Sequence, residues 1–260
     1  MTAAAARRAP LDPLASLLDD FDDASPQLIE RRALLRRADS KFSLAVDRLH
    51  DLVAPLAADY AALRVPGGRA LAVYRNLYFD TPDLRCFHDH RRGRRIRHKI
   101  RIRHYPDRQI SFLEVKTRRG ELEVDKRRLP IELGQERLGP RERAFLADHV
   151  GDLADQLRPQ LWIDYRRIAL IGTRTHERVT IDIELAAHGL DGARRGLGSA
   201  AVIEVKQAPF SARTPVMRAL LAGGLREGSL SKYVAAVALL RPEVRRDQPR
   251  PSLHHGGGAS

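Results

Sequence analysis

Three short segments repeat one arrangement of an acid and a base. Residues 114–116 and 204–206 both read EVK, and residues 39–41 read DSK. Side chains two residues apart on a β-strand point to the same side, about 7 Å apart. Such a pair can neutralise itself. Alternatively, the carboxylate can hold a hard divalent cation while the ammonium group holds a phosphate oxygen on that metal. One pair is common in proteins, but several in one chain favour phosphate chemistry.

A strongly basic segment, RRGRRIRHKIRIRHY, occupies residues 91–105. Written as a strand, its second half alternates cations with isoleucine and histidine. The cations of one face are Arg95, Arg97, Lys99, Arg101 and Arg103. Like charges on one side of a strand repel each other, so a triphosphate or a polyphosphate chain is a fitting counterion. No P-loop, kinase or dinucleotide-binding signature occurs, so side chains would have to hold the phosphates.

The composition favours polyanionic partners. Among 260 residues, 46 Lys and Arg stand against 33 Asp and Glu, a net charge of +13. Only six of the basic residues are lysines, and each lies in a short charged motif. The single cysteine, Cys86, excludes an internal disulfide and a Cys-based zinc site. No apolar run approaches the roughly 20 residues of a membrane span, and no secretory signal is recognised. We therefore expect a cytoplasmic protein.

The periodicity predicts an α+β protein in which helices pack on strands. Helical spacing occurs at 46–63, 140–157 and 229–240, and most of the remainder alternates as strands. The polar faces of these strands mix acids and bases. Either an open sheet with a charged solvent face or a closed antiparallel β-barrel with a charged interior has this pattern. We favour the barrel, with helices packed on its outside. The expected organisation is a partly disordered extension (1–26), one domain (27–240) and a disordered tail (241–260).

Nine motifs resemble, in order, those of one protein family. They are RRADSKF (36–42), YRNLYFDTPDLRCF (74–87), KIRIRHY (99–105), FLEVKTR (112–118), DKRRL (125–129), YRRIAL (165–170), RVTIDIEL (178–185), VIEVKQ (202–207) and LSKY (230–233). The series resembles the VTC domain, the polyphosphate polymerase domain of the vacuolar transporter chaperone complex and its bacterial relatives. That domain belongs to the CYTH-like triphosphate tunnel metalloenzymes. The resemblance spans about residues 30–240 and implies a closed barrel with a basic tunnel.

The resemblance also implies a role for each matched residue. ATP or another nucleoside triphosphate would donate its terminal phosphoryl group to inorganic polyphosphate. The residues around the transferred group would be Arg101, Arg103, Arg167 and Arg178, with Arg166 as an alternative to Arg167. Further phosphate or nucleotide contacts would come from Arg37, Lys41, Lys116, Lys126, Lys206 and Lys232. A divalent cation, Mn²⁺ or Mg²⁺, would bind Glu204, and Glu114 is a second candidate ligand.

One departure from the related CYTH triphosphatases bears on the reaction. Those enzymes open with a Glu-x-Glu-x-Lys strand, whereas this chain has Arg37 where the first acid would stand. Losing a metal-binding carboxylate and gaining a cation favours transfer to phosphate over hydrolysis. A CYTH-type triphosphatase and a non-catalytic polyphosphate-binding or nucleotide-binding module remain the alternatives. Polymerases of this family work with membrane-embedded partners, so such a partner at the inner face of the membrane is a further expectation.

Other classes and sites fit the sequence less well. A nucleic-acid binder would show aromatic platforms or a basic recognition helix, whereas aromatic residues make up 5% of the chain. Four histidines near the basic segment suggest a metal cluster, but we favour surface positions or the strand face opposite the arginines for them; they are His88, His90, His98 and His104. Asp182 and Glu184 could bind a metal or act as counter-charges to Arg178, and we favour the counter-charges. Asp80 is interpreted as part of a turn.

Overall fold

The computed structural model describes residues 16–32, 38–120 and 123–247, without the side chains of 245–247. These residues fall into two compact units. The first unit contains the described residues within 1–72, together with 168–181 and 202–227. The second unit contains 73–167, 182–201 and the described residues from 228 onward. Arg37, much of the 1–26 extension and most of the 241–260 tail lie outside the described residues.

The chain is an α+β protein with a large antiparallel sheet, as the periodicity predicts. Each strand is named here by its order along the chain. The strands are β1 (Ala38–Ala45), β2 (Tyr60–Ala62), β3 (Leu71–Asp80), β4 (Ile96–Tyr105), β5 (Ile110–Arg119), β6 (Glu123–Ile131), β7 (Arg158–Gly172), β8 (Glu177–Gly189), β9 (Arg194–Gly196) and β10 (Ala200–Gln207).

The strand order differs from the expected closed barrel. It runs β1-β10-β8-β7-β3-β4-β5-β6, with β2 paired to β7 and β9 paired to β8. Within the described strands β1 and β6 stand at the two ends of this order, and no pairing joins them. Closure is therefore not found. Alternating charged and apolar faces are compatible with both an open and a closed sheet, so the sequence pattern could not decide between them.

Short helices connect the strands. They are α1 (Pro26–Arg31), α2 (Leu49–Val53), α3 (Arg85–Arg91), α4 (Pro140–Val150), α5 (Leu153–Gln156), α6 (Pro215–Ala222) and α7 (Lys232–Leu240). Turns of 3₁₀ helix occupy Val46–Arg48, Ala54–Leu56, Pro106–Arg108 and Pro242–Asp247.

The predicted helices are shorter than their periodicity suggests. The segment 46–63 breaks into 3₁₀ turns around α2, because Pro55 cannot donate a backbone hydrogen bond, and its last residues form β2 against β7. The segment 140–157 divides at Gly151, whose φ of 58° lies in the left-handed region. The segment 229–240 is helical only from Lys232. Helices α1, α3 and α6 were not predicted, since six to eight residues give too little periodicity.

The two faces of β4 and β5 have opposite character, as the alternation predicts. Ile100, Ile102, Leu113 and Val115 are buried on one face. They belong to a core with Leu146 of α4 and with neighbouring residues of α5. Each fully buried aliphatic side chain contributes about 1.5–3 kcal/mol. Helix packing on this face leaves the charged side chains on the opposite face of the same strands.

Buried hydrogen bonds connect three strands of the first unit. Glu177 of β8 is fully buried and accepts hydrogen bonds from the Tyr60 hydroxyl group, from Thr175 Oγ1 at 2.8 Å and from Gln207 Nε2 at 2.9 Å. Buried carboxylates are costly unless they are fully hydrogen-bonded, so this set fixes β10 at its Gln207 end. The same strand carries Glu204 and Lys206.

Candidate active site

The buried carboxylate of Glu114 lies at the centre of a cation cluster in the second unit. Glu114 Oε2 accepts hydrogen bonds from Arg101 Nε at 2.9 Å and from Arg101 Nη2 at 2.7 Å. Arg103 Nη1 lies 3.8 Å from Oε2, and Lys126 Nζ lies 2.8 Å from Oε1. Burial raises the pKa of the Glu114 carboxyl group, but the three cations together lower it well below its ordinary value. Glu114 is therefore an anion that holds two guanidinium groups in place.

The strand register brings these residues together. Arg101 lies opposite Glu114, which lies opposite Arg128. The adjacent row consists of Lys99, Lys116 and Lys126, directly opposite each other on three strands. We call this side of β4–β6 the basic face. Its register-paired residues include one carboxylate, Glu114, and eight cations: Arg97, Lys99, Arg101, Arg103, Lys116, Arg118, Lys126 and Arg128.

Like charges at this spacing repel one another. Side chains directly opposite on antiparallel strands have Cβ atoms about 5 Å apart, and like charges at such positions are destabilising. Three lysines in one row therefore concentrate positive potential at one place on the sheet. A concentration of positive charge of this kind attracts anions.

Asp182 forms a second buried cluster in the same unit. Arg167 donates to it from Nε at 2.5 Å and from Nη2 at 2.8 Å, and Lys232 Nζ lies 2.5 Å away. Burial opposes ionisation, but Arg167 and Lys232 lower the pKa of Asp182 to about 2. Of the two arginines that the sequence left open, Arg167 lies in this cluster, whereas Arg166 contacts the exposed Glu184.

Two tyrosines connect the clusters. Tyr74 and Tyr165 stack with ring centroids 5.2 Å apart. Arg103 Nη2 donates to Tyr165 Oη at 3.2 Å, and the Arg167 guanidinium lies 4.9 Å from the Tyr74 ring centroid. Lys232 Nζ lies 5.2 Å from the Tyr165 ring. Cation–π contacts of this kind stabilise a cation without neutralising its charge, so these groups keep their attraction for anions.

Asp80 positions Lys232, a role that sequence reasoning missed. Asp80 is fully buried and accepts hydrogen bonds from the backbone N–H groups of Cys86 and Phe87, at 2.8 and 2.9 Å, and from Tyr233 Oη at 2.7 Å. The turn that the sequence predicts is present, but the same carboxylate also holds the first turn of α7. An aspartate between a strand and a short helix is the available signal for such a capping role.

Tyr78 extends this anchoring to the basic face. It stacks on Tyr233 with ring centroids 5.0 Å apart, and its hydroxyl accepts a hydrogen bond from Arg101 Nη1 at 2.9 Å. Arg101 is thus held by Glu114 on one side and by Tyr78 on the other. Side chains with fixed donors of this kind are suited to stabilising charge in a transition state.

The first unit carries a separate acid–base cluster. Glu204 of β10 contacts Lys206 on its own strand and lies 3.4 Å from Lys41 Nζ of β1. The EVK and DSK segments therefore meet at one carboxylate. The Glu204 side chain is 21% exposed, against 2% for Glu114 and Asp182. Arg178 lies half-buried on β8 of this unit.

Glu204 fits the divalent cation that the family implies better than Glu114 does. No cluster of three or more His, Cys, Asp or Glu suited to a metal occurs in the described part of the chain. Mg²⁺ is commonly held by one or two carboxylates, with water and substrate phosphates completing its shell, and the accessible Glu204 can provide one such ligand. Glu114 is surrounded by three cations, so a metal there would meet repulsion.

The histidines next to the basic segment form no common centre among the described residues. The ring of His98 bonds to Thr117 Oγ1 at 3.0 Å, and that of His104 bonds to Ser111 Oγ at 2.6 Å. Both histidines lie on the face opposite the arginines, as the alternation predicts.

The family model of the VTC domain matches residues 36–241. The chain belongs to the VTC domain family. Enzymes of this family act on phosphoanhydrides. No helix among the described residues combines the length and apolar character needed to cross a membrane. No curated protein matches the VTC chain.

Several solved structures are similar to this VTC chain. A candidate adenylyl cyclase from Hippeastrum, for which a dominant triphosphatase activity is described, gives a TM-score of 0.49 at 17% identity over 78% of this chain and 95% of its own. A candidate adenylate cyclase from Bacillus halodurans gives 0.48 at 15% identity, over 75% and 94%. A conserved hypothetical protein from Pyrococcus furiosus gives 0.43 at 14% identity, over 76% and 99%. Family membership rests on the match over residues 36–241.

Proposed function

We propose that this VTC domain is a phosphotransferase of the polyphosphate polymerase type. It transfers the terminal phosphoryl group of ATP or another nucleoside triphosphate to inorganic polyphosphate. The observation that carries the proposal is the basic face, where eight cations share one side of three strands with one buried carboxylate. The family's action on phosphoanhydrides supports it.

The arrangement of the cations favours a linear polyanion. Successive rows on one face of a strand repeat about every 7 Å, and several rows of the basic face carry arginine or lysine. A chain of phosphates can contact successive rows, whereas a single compact anion can contact only one or two. Polyphosphate is therefore a better counterion for this face than an isolated phosphate.

The chemistry needs little beyond positioning and charge neutralisation. A terminal oxygen of the polyphosphate chain attacks the γ-phosphorus of ATP, the bond from that phosphorus to the β–γ bridging oxygen breaks, and ADP leaves. The attacking oxygen is already anionic at neutral pH, so no proton has to be removed and no general base is required. Arg101, Arg103 and Arg167, held by Glu114 and Asp182, neutralise the oxygens of the transferred group. Arg37 and Arg178 are assigned phosphate contacts by the family pattern.

The cluster of the first unit would serve the nucleotide. A divalent cation bound to Glu204, Mn²⁺ or Mg²⁺, would offset the charge of the nucleotide phosphates. Lys41 and Lys206 contact Glu204 and can each donate to a phosphate oxygen. Phosphate contacts by Lys116, Lys126 and Lys232 and the closed tunnel of the family are further parts of this proposal.

The test is turnover of ATP by the purified chain with Mn²⁺ or Mg²⁺, analysed for polyphosphate on a polyacrylamide gel and for free phosphate. We expect acid-labile chains. The Arg101→Ala variant should lose at least a hundredfold in rate, the usual cost of removing one preorganised donor. Arg127→Ala is the matched control, because Arg127 lies exposed on the opposite face of β6 and pairs with Asp125.

Each result of this assay decides between functions. Free phosphate without chains would identify a triphosphatase, and unchanged ATP together with tight polyphosphate binding would identify a binding module. Either result would overturn the proposal. Full activity in Arg101→Ala would remove Arg101 from the mechanism.

A further inference from the structure

His90 is a histidine that the proposed mechanism does not use. It lies in the last turn of α3, a helix that packs against β4. Its ring is half-buried, and among the described residues the buried Nε2 atom has no hydrogen-bond partner. A buried nitrogen of this kind loses its hydration without compensation, so Nε2 is suited to a hydrogen bond with a bound polar group.

The charges that act on His90 come from the basic face. Burial, together with Lys99, Arg97 and Lys116, lowers the pKa of His90 to about 3, although a hydrogen bond with the backbone of His98 opposes this shift. Lys99 and Lys116 are directly opposite each other in the lysine row. The imidazole ring therefore lies within the electrostatic influence of this row and is neutral in the anion-free protein.

The other titratable groups around α3 are engaged elsewhere. Helix α7 also packs against α3, but its Lys232 contacts Asp182 and its Tyr233 donates to Asp80. Asp89 and Arg85 of α3 itself act on His98. The charge near His90 is thus set mainly by cations.

We propose that Lys99, Lys116 and His90 bind one phosphate group of a polyphosphate chain at the α3 end of the basic face, and that His90 takes up a proton from solvent when this group binds. The inference deepens the proposed function and rests on it. Neither His90 nor Lys99 belongs to the residues assigned from the family motifs. The subsite therefore extends the proposed row of phosphate-binding residues beyond Lys116.

The link between phosphate binding and proton uptake by His90 follows from the signs of the charges. The positive charges of Lys99, Arg97 and Lys116 make a proton on the His90 ring unfavourable. An arriving phosphate group reverses the local potential, and the protonated Nε2 then donates a charge-assisted hydrogen bond to a phosphate oxygen. Polyphosphate affinity should therefore rise as the pH falls, by up to about tenfold for each pH unit over which the bound protein carries the extra proton.

The test is calorimetric titration of the full chain with tripolyphosphate at pH 6, 7 and 8, in pairs of buffers with different ionisation enthalpies. These pairs report the number of protons taken up on binding. Three variants are compared with the natural chain. His90→Gln removes the titrating group, His90→Lys supplies a permanent cation, and His88→Gln is a control on the same helix.

The proposal predicts a distinct result for each variant. The natural chain and His88→Gln should take up protons and bind more tightly at pH 6 than at pH 8. His90→Gln should lose both the uptake and several-fold of the affinity at pH 6, whereas His90→Lys should bind tightly at pH 8 without the uptake. Titration of tripolyphosphate itself is common to all variants, so their differences isolate His90.

Three results would overturn the inference and can be told apart. Tight binding with the same proton uptake in His90→Gln would remove His90 from the site and leave the proposed function intact. Absence of tripolyphosphate binding in the natural chain would contradict the proposed function together with this subsite. Equal losses of affinity in both His90 variants at every pH would indicate a structural role only.

Discussion

The buried carboxylates of the second unit and Glu204 of the first unit occupy different environments. Glu114 and Asp182 are 2% exposed, and each contacts two or three cations. Glu204 is 21% exposed and contacts Lys41 and Lys206. Glu114 and Glu204 both belong to EVK segments, which are identical in the sequence, and Asp182 lies in a strand of the same alternating kind. Burial, not residue type, distinguishes them.

This difference in exposure indicates different roles for the three carboxylates. A buried ion pair contributes little net stability, but it becomes costly when one partner is removed. Glu114 and Asp182 therefore act as fixed holders of arginine and lysine side chains. An accessible carboxylate can exchange ligands with solvent, so Glu204 is the one of the three suited to binding a metal reversibly.

The largest expected effect is on turnover, and it distinguishes metal binding by Glu204 from the positioning of cations by Glu114 and Asp182. Glu204→Gln should reduce metal-dependent turnover by about a hundredfold or more, because a neutral amide is a poor ligand for Mn²⁺ or Mg²⁺. Its melting temperature should change little, since the side chain is partly exposed. Turnover measured across a Mn²⁺ series checks this. Glu227→Gln, at an exposed site of the same unit, serves as the control, and equal activity of the two variants would contradict the metal role.

Asp182→Asn should lower the stability of the protein strongly, in contrast to Glu204→Gln. Removing one member of a buried charge cluster leaves Arg167 and Lys232 uncompensated, which costs about 3–5 kcal/mol. Denaturant unfolding followed by circular dichroism measures this loss. The exposed pair of Asp125 and Arg127 provides the comparison, and Asp125→Asn should cost under about 1 kcal/mol. Similar losses in the two variants would show that Asp182 is not a holder.

The sequence predicted the face of each strand residue better than it predicted the contacts. Alternation correctly placed Arg101, Arg103 and Lys99 on one face of β4, because side-chain direction in a strand follows directly from residue parity. Alternation could not show that Glu114 would pair with Arg101 on β4 and not with Lys116 on its own strand. That choice depends on the register between β4 and β5.

The sequence pattern failed where the backbone departs from regular geometry. In RVTIDIEL, strict alternation puts Glu184 on the same face as Asp182. Glu184 instead adopts a φ of 53° and is exposed, while Asp182 is buried. No residue type in this segment signals the irregularity, because a left-handed φ is expected of glycine or asparagine. The alternation likewise gave no means of choosing between an open and a closed sheet.

Acid titration should reveal the buried clusters as a loss of stability. The pKa of Asp182 is lowered from 3.8 to about 2. Its contribution is fully present above about pH 4 and is lost as the pH falls towards 2. The loss is about 2 kcal/mol for this group, and Glu114, whose pKa is also lowered, adds to it. Unfolding free energies at pH 5 and pH 2.5 should differ less in Asp182→Asn than in the natural chain, and an unchanged difference would contradict the shift.

The smallest expected effect concerns Glu184, two residues from Asp182 on the same strand. A left-handed φ costs a non-glycine residue about 1–2 kcal/mol, and the exposed contact of Glu184 with Arg166 offsets little of this. Glu184→Gly should therefore raise the free energy of unfolding by about 0.5–1 kcal/mol, after allowance for the greater freedom of glycine in the unfolded chain. Glu184→Val should lower it, because a branched side chain tolerates this conformation least. Replacing Asp182 by Asn would then lower the free energy of unfolding, whereas replacing Glu184 by Gly would raise it. Equal effects of Gly and Val at position 184 would show that the backbone conformation there carries no strain.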